Sequence, residues 1–281
     1  MQEKLISEGK CLFCGKTFAK AGINRHLTTH LKSKAKSGEP GKSFFVKIET
    51  NKIGGSSPYF LSVWIDGEAK IKDLDTFLRG IWLECCGHLS AFRDPNTAEY
   101  VGRMLEEDEN EDEEDEFEDE ELEDDDEEDD DEDNEDNEDD FWGYEDEDDV
   151  PMGSKAKDVL CKGLELQYEY DFGSTTELSI TVMDEYPVQA EEKIVLLSRN
   201  EPLKIMCHTC DKAPATQICT ICLYNEPSLF CDKCAKKHAK KCDDFAEYAA
   251  LPMVNSPRAG VCAYEGGSID TERDGVFVLK E

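Results

Sequence analysis

The chain has 281 residues, of which 67 are acidic and 31 basic, and its formal net charge is -36. This charge is concentrated, because 35 of the acids and none of the bases lie in residues 106–149, and the remaining chain is almost neutral. The longest aliphatic run, residues 194–197, is far shorter than the roughly 18 residues of a membrane span, which excludes a membrane protein. The first residues lack the apolar segment of a secretion signal, so we expect a cytoplasmic protein whose 13 cysteines are thiols or metal ligands.

Two cysteines and two histidines near the N-terminus have the spacing of a zinc site. Cys11 and Cys14 form a C-x-x-C pair, and His26 and His30 follow one helical turn apart. Two thiolates and two imidazoles complete a zinc tetrahedron. Residues 1–36 resemble the two-Cys two-His finger family, although the spacer between the pairs is one residue shorter than usual.

The partner of this finger is left open by its sequence. Counting back from the first histidine, the base-reading positions are Arg25, Gly22 and about Ala19, of which only Arg25 can hydrogen-bond a base edge. A single finger covers about 3 base pairs, too few for a specific address. Nearby lysines can hold phosphate nonspecifically. Contact with a protein or with an RNA backbone therefore fits the sequence at least as well as DNA recognition.

The segment after the finger has the pattern of two strands and a helix. Residues 44–50 and 59–65 are rich in strand-forming residues and are joined by a Gly/Ser/Pro turn. Asp73 is placed to cap the helix. Its apolar face is formed by Leu74, Phe77, Leu78, Ile81 and Trp82.

Further strands follow the acidic tract. Apolar and polar residues alternate in 164–170 and 178–182, which predicts an antiparallel pair with one buried face, and residues 192–198 add another strand. We therefore expect an α+β domain split between residues 43–105 and 150–200.

The acidic tract, residues 106–149, is predicted to be a disordered insertion because it cannot bury enough apolar surface to offset its ordering entropy. It would be a solubility tail that binds nothing, a segment that binds a basic partner, or a nucleic-acid mimic that shields the chain's own basic finger. The predicted anchors for a basic partner are Phe117, Leu122, Phe141, Trp142 and Tyr144.

A second cysteine-rich module supplies eight metal ligands in four pairs. Eight ligands fill two closed tetrahedral sites, and closed sites are structural because no position remains for water or substrate. The ligand spacing over residues 203–245 resembles that of the B-box and related cross-brace zinc fingers. Residues 246–281 are predicted to form a tail. The ligands are Cys207, Cys210, Cys219, Cys222, Cys231, Cys234, His238 and Cys242, with His208 left out.

The division of these ligands between two zinc ions is predicted to be interleaved. A short helix beginning near Cys234 would present His238 and Cys242 on one face, and interleaving ties together a module too small for its own core. Three zinc ions are therefore expected in the chain, and a strong chelator should unfold both zinc modules and leave the central domain folded. The interleaved sets are Cys207, Cys210, Cys231 and Cys234 against Cys219, Cys222, His238 and Cys242, and the sequential alternative joins Cys207 with Cys219.

Four further cysteines lack metal spacing and are predicted to be buried thiols. They are Cys85, Cys86, Cys161 and Cys262. The adjacent pair is poorly arranged for chelation, and no general base can be placed beside any of the four, so no nucleophilic role is assigned.

The central domain resembles the plasmid pRiA ORF-three-like family. Trp82, the H-L-x-x-F element at 88–92 and the Y-x-Y-D-F-G element at 168–173 carry the resemblance, and residues 251–262 look like the ending of zinc-bearing members. The resemblance implies a compact α+β fold and no established activity. The family's D-x-W-x-H continuation is replaced by Ser174-Thr175-Thr176-Glu177-Leu178, so a site built on that Trp and His is absent.

The second of these elements predicts a turn in which Phe172 packs inward and Gly173 adopts positive φ. His88 and Asp171 form a candidate acid–base pair, although a histidine satisfied in the core is the more frequent explanation.

These observations predict a zinc-binding interaction protein that binds a protein or nucleic acid, with no catalytic residue. The alternatives are an enzyme with a cleft around His88 and Asp171 and a transcription regulator.

Overall fold

The computed structural model describes residues 7–50, 58–95, 149–223 and 227–278. Antiparallel sheets combine with a few helices, which confirms the α+β prediction. None of the described helices is long and apolar enough to cross a bilayer. The prediction for residues 106–149, with its aromatic and leucine anchors, lies outside the described residues apart from Asp149.

The N-terminal segment is a hairpin followed by a helix. Strands β1 (Glu8–Lys10) and β2 (Thr17–Ala19) pair antiparallel, and helix α1 (Lys20–Lys34) begins directly after β2. This is the hairpin-and-helix arrangement that the C-x-x-C and His-x-x-x-His spacing implies.

A six-stranded antiparallel sheet forms the centre of the described chain. Its spatial order is β5-β6-β7-β3-β4-β8. The strands predicted from the sequence are present, and the longest of them begin earlier or end later than their apolar runs. Strand β5 is the one member of the sheet that the sequence does not predict. In chain order the strands are β3 (Pro40–Thr50), β4 (Phe60–Asp66), β5 (Ser90–Arg93), β6 (Glu165–Tyr170), β7 (Thr176–Val188) and β8 (Ile194–Arg199).

The finger packs on this sheet and shares a hydrophobic core with it. The Leu12 amide donates to the Leu197 carbonyl at 2.9 Å, and the Glu201 amide donates to the Glu8 carbonyl at 2.7 Å. The finger therefore belongs to the same compact unit as the sheet. The shared core contains Ile23, Leu27, Leu31, Phe45, Phe60, Trp64 and Leu197.

Alternate side chains of β3 enter a second core, which contains the amphipathic helix. Helix α2 (Ile71–Leu78) continues into a π-helix (Arg79–Leu83). The predicted apolar face is buried, but the predicted start is wrong, because Lys70 is the N-cap and Asp73 is the third helical residue. The Asp73 carboxylate accepts a hydrogen bond from the Lys70 amide at 2.8 Å.

The turn between β6 and β7 corrects two predictions. Phe172 is 50% exposed and does not pack inward. The positive φ belongs to Asp171, at 65°, and not to Gly173. The Asp171 side chain explains why the aspartate adopts positive φ. Its carboxylate accepts from the Gly173 and Ser174 amides at 3.1 and 3.2 Å, and these hydrogen bonds stabilise the turn without a glycine at this position.

The C-terminal part begins with short elements around the cysteine pairs. Strand β9 (Gln217–Cys219) lies between β10 (Leu229–Phe230) and β11 (Ala250–Pro252), so the small sheet extends beyond residue 245. Helices α4 (Asp232–His238) and α5 (Asp243–Glu247) lie between β10 and β11, while the short helix α3 (Ala156–Val159) belongs to the central domain.

The last described residues pack against the π-helix. The Ser256 hydroxyl donates to the Trp82 carbonyl at 2.7 Å. The Ser268 and Ile269 amides both donate to the Gly80 carbonyl, at 2.7 and 2.9 Å. Residues 256–269 of the predicted tail therefore pack on the central domain.

Candidate metal centres

Four groups of cysteine and histidine side chains have the geometry of metal sites. In each group, the ligand atoms lie within 4.8 Å of one another. In a zinc tetrahedron with ordinary bond lengths, two sulfurs are about 3.8 Å apart, a sulfur and a nitrogen about 3.6 Å, and two nitrogens about 3.4 Å. These separations are the standard for judging each group.

The first group is Cys11, Cys14, His26 and His30, the set predicted for the finger. The hairpin supplies the cysteines, and helix α1 supplies the histidines from one face. Cys14 Sγ lies 3.2 Å from His26 Nε2, which lies 3.1 Å from His30 Nε2. Phe18 stacks on His26 with ring centroids 4.1 Å apart.

The protonation of His26 favours metal binding. Burial lowers its pKa, and the charges of His30 and Lys16 lower it further. A metal-binding imidazole must be neutral. The site therefore holds His26 in its ligand form at neutral pH.

The cross-brace cysteines are grouped in the interleaved arrangement. One group contains Cys207, Cys210, Cys231 and Cys234, and the Sγ atoms of Cys210 and Cys231 are 3.8 Å apart. The sequential alternative, in which the first two pairs share an ion, does not describe this geometry.

The other cross-brace group is Cys219, Cys222, His238 and Cys242. Cys222 Sγ lies 3.7 Å from His238 Nε2. His238 stacks on Phe230 with ring centroids 4.2 Å apart, and burial, followed by the charge of Lys241, lowers its pKa. Both separation and protonation suit a metal ligand.

Helix α4 connects the two cross-brace groups, in a way that differs from the prediction. Cys231 is its N-cap, so the helix begins at Asp232 rather than near Cys234. His238 ends the helix, and Cys242 lies beyond it, with its amide donating to the His238 carbonyl at 3.0 Å. One short helix thus supplies ligands to both groups. His208 is exposed and belongs to neither, as predicted.

The thiols of the cross-brace differ in acidity. Burial raises the pKa of Cys207, but backbone hydrogen bonds at Cys231, Cys210 and Thr209 outweigh burial and lower the value to about 7. For Cys234, burial and hydrogen bonds to neighbouring thiols raise the pKa to about 12. The Cys207 thiol therefore loses its proton near neutral pH, whereas Cys234 needs a nearby cation to lose its own.

A fourth group contradicts the prediction for the remaining cysteines. Cys85, Cys86, His88 and Cys262 converge within the same 4.8 Å limit. Cys86, Cys262 and the ungrouped Cys161 are exposed, so the prediction of buried thiols is wrong. Spacing along the chain concealed this group, since Cys262 is 176 residues from Cys86.

A tight turn allows the neighbouring cysteines to face the same point. Both follow the π-helix, and Gly87, with φ of 76°, turns the chain so that His88 returns towards Cys86. The Gly87 amide donates to the Glu84 carboxylate at 2.6 Å. Cys86 Sγ lies 2.9 Å from His88 Nε2, and Cys85 Sγ lies 3.7 Å from Cys86 Sγ.

The proposed acid–base pair lies beside this group. His88 Nε2 is 3.5 Å from the Asp171 carboxylate, which is ion-paired to the fully buried Arg258. Arg258 holds the pKa of Asp171 at about 2, well below its usual value. A carboxylate committed to arginine is a poor proton acceptor, which argues against acid–base chemistry at His88.

Two cavities in the described part of the chain lie away from this pair. One is lined by Tyr59, Leu203 and Met253, and the other by Pro214, Cys231 and Phe277. Neither is lined by His88 or Asp171.

The chain matches no protein-family model and no curated protein. A crystal structure of a protein of unknown function from Methanosarcina mazei Go1 is similar over 56% of this chain and 67% of that chain, at 13% identity and a TM-score of 0.33. A similarity this low informs neither the fold nor the function.

Proposed function

We propose that this protein is a zinc-binding interaction protein that binds a protein or nucleic-acid partner without catalysis. The observation that carries this proposal is that four protein ligands converge in each of the three groups predicted from the sequence. Four protein ligands complete a tetrahedron and leave no position for a reacting water or substrate. The metals would therefore shape binding surfaces.

Zinc is the metal that fits these groups best. They combine thiolates with neutral imidazoles, which suit zinc, and offer no carboxylate oxygens of the kind that magnesium or calcium prefers. Three ions are expected from these groups, one in the finger and two in the cross-brace module. The interleaved ligands and short module support its B-box-like assignment.

The exposed face of helix α1 is our candidate partner surface. Arg25 and Lys32 are exposed, while the opposite face of the helix is buried against the sheet. The other base-reading positions, Gly22 and Ala19, are exposed but carry no polar side chain. This surface suits an anionic partner, either a nucleic-acid backbone or an acidic protein, better than a specific DNA sequence.

Membership of the plasmid pRiA ORF-three-like family is part of the proposal. Its two sequence elements meet on neighbouring strands, since Ser90 of β5 pairs with Tyr170 of β6. The cytoplasmic location and the binding of a basic partner by the acidic tract stay predictions.

Metal analysis of the purified full chain tests the zinc part of the proposal. Cys14→Ser is expected to lose the finger zinc, and Cys210→Ser at least one cross-brace zinc. Cys161→Ser is the matched control because Cys161 is exposed and outside every group. A wild-type chain with one zinc or none would refute the proposal.

Nucleic-acid binding at low salt tests the proposed partner surface. An Arg25→Glu and Lys32→Glu double variant should bind a short RNA or DNA duplex about tenfold more weakly, because phosphate contacts are lost. Lys72→Glu, on the exposed side of α2, is the control. Deleting residues 106–149 should strengthen binding if the tract shields the finger, and unchanged affinity would exclude shielding.

A further inference from the structure

We propose that Cys85, Cys86, His88 and Cys262 form a fourth zinc site, which fastens the C-terminal segment to the central domain. The four side chains come from two parts of the chain that the fold brings together. None of them was predicted as a ligand, and the proposal goes beyond the three sites on which the proposed function depends.

Three separations within the group match a tetrahedron, and a fourth, 2.9 Å between Cys86 Sγ and His88 Nε2, is shorter than a zinc-bound pair requires. The sulfurs of Cys86 and Cys262 are 3.5 Å apart, those of Cys85 and Cys86 are 3.7 Å apart, and Cys262 Sγ lies 3.6 Å from His88 Nε2. Ideal zinc geometry requires about 3.8 Å between sulfurs and about 3.6 Å between sulfur and nitrogen. The same kinds of atoms at similar distances form the cross-brace groups.

A disulfide explains this arrangement less well. The sulfurs are well beyond the bond length of about 2.05 Å. A disulfide uses two sulfurs, whereas here three sulfurs and an imidazole nitrogen converge. A single cation accounts for all four.

The surroundings of the group carry the charge that such a site needs. Three thiolates and one Zn²⁺ leave a net charge of about -1. The guanidinium of Arg258, whose side chain is 0% exposed, lies 3.6 Å from Cys85 Sγ and also ion-pairs with Asp171. Second-shell partners of this kind orient and stabilise metal ligands. A fully buried arginine beside a thiol is not the kind of contact that forms by chance between mobile side chains at the surface.

The position of the group indicates its role. Cys262 lies only four residues from Arg258 and six from Ser256, whose hydroxyl donates to the Trp82 carbonyl at 2.7 Å. A metal link between Cys86 and Cys262 closes a very long loop, which reduces the entropy of the unfolded chain. Zinc would therefore lock a segment that hydrogen bonds have already aligned.

Exposure distinguishes this site from the cross-brace sites. Cys86 and Cys262 are exposed, whereas Cys207, Cys219 and Cys231 are buried. Chelators and thiol reagents should therefore reach the fourth site sooner. Its zinc is expected to be released before the two cross-brace ions.

Native mass spectrometry of the full chain, expressed with zinc, tests the proposal. The wild-type chain should carry four zinc ions, and Cys86→Ser, His88→Gln and Cys262→Ser should each carry three. Cys161→Ser should retain four. Because Cys86 and Cys262 are exposed, their replacement by serine should leave the chain folded, which circular dichroism checks.

The rate of zinc transfer to a colorimetric chelator gives a second readout. The rapid phase of the Cys262→Ser chain is expected to be one zinc equivalent smaller than that of the wild-type chain. A wild-type chain with three zinc ions, none of which is lost in Cys86→Ser or Cys262→Ser, would overturn the fourth site. The losses expected in Cys14→Ser and Cys210→Ser test the proposed function separately.

Discussion

The finger and the cross-brace module both gather cysteine and histidine ligands, but they obtain their cores differently. The finger helix buries Ile23, Leu27 and Leu31 against the central sheet, so its core includes many side chains that bind no metal. In the cross-brace module, the ligands themselves make up most of the core. That core contains Cys207, Cys219, Phe230, Cys231, Cys234, Ala235 and Phe245.

This difference indicates where zinc supplies the folding energy. A buried leucine or isoleucine contributes about 1.5–3 kcal/mol without any metal, and the finger has three such residues on one helix face. Structural zinc in a small module contributes about 10–16 kcal/mol, which the cross-brace core cannot replace. The sequence predicts that a chelator unfolds both zinc modules. The structure changes this prediction, since the finger should keep much of its fold without zinc and the cross-brace module should not.

The largest expected effect is in a ligand variant of the cross-brace. Cys219→Ser should abolish the fold of residues 207–242, with a loss on the order of 10 kcal/mol of metal-dependent stability. Two zinc ions should be lost rather than one, because β9, which contains Cys219, pairs with β10, which leads into the Cys231 knuckle. Limited proteolysis and metal analysis would measure both changes.

The matched control for that variant is Cys161→Ser, which should resist protease as the wild type does. Loss of a single zinc ion from Cys219→Ser, with residues 207–242 still protected, would show that the two interleaved sites fold independently.

A medium effect is expected from the apolar face of the finger. Leu27→Ala should destabilise the finger and the sheet together by about 2–5 kcal/mol, because Leu27 is fully buried between them. Urea unfolding followed by tryptophan fluorescence would measure the change. Lys32→Ala, on the exposed face of the same helix, should change stability little. If Leu27→Ala has no effect on the sheet, the shared core is wrong.

The smallest expected effect distinguishes two glycines of the finger. Gly15, in the zinc knuckle, has φ of 71°, so Gly15→Ala should cost about 1–2 kcal/mol. Gly22 lies in α1 with nothing within 4 Å of an added Cβ, so Gly22→Ala should stabilise the helix by up to about 1 kcal/mol. Thermal unfolding of both variants gives the comparison, and equal shifts would contradict it.

Local spacing predicted much of this architecture. The C-x-x-C pairs and the histidines at helical spacing identified the three groups that the structure assembles, because such ligands are close in sequence. The alternating strands and the apolar face of α2 followed from periodicity for the same reason.

Contacts between distant residues could not be predicted in this way. The approach of Cys262 to His88 depends on how the last segment crosses the π-helix, and no local pattern encodes that crossing. The sequence pattern places the positive φ of the turn between β6 and β7 at Gly173, because glycine is the usual residue in that conformation. Here the aspartate's own hydrogen bonds to the next amides compensate for the missing glycine.

Hydrogen exchange before and after chelation tests the central distinction most directly. The full chain would be treated with a strong chelator, and the exchange of amides in α1 and in residues 207–242 would be followed by mass spectrometry. We predict that residues 207–242 lose their protection while α1 retains much of its own, because the sheet still covers Ile23, Leu27 and Leu31. Simultaneous and complete loss of protection in both regions would contradict the account.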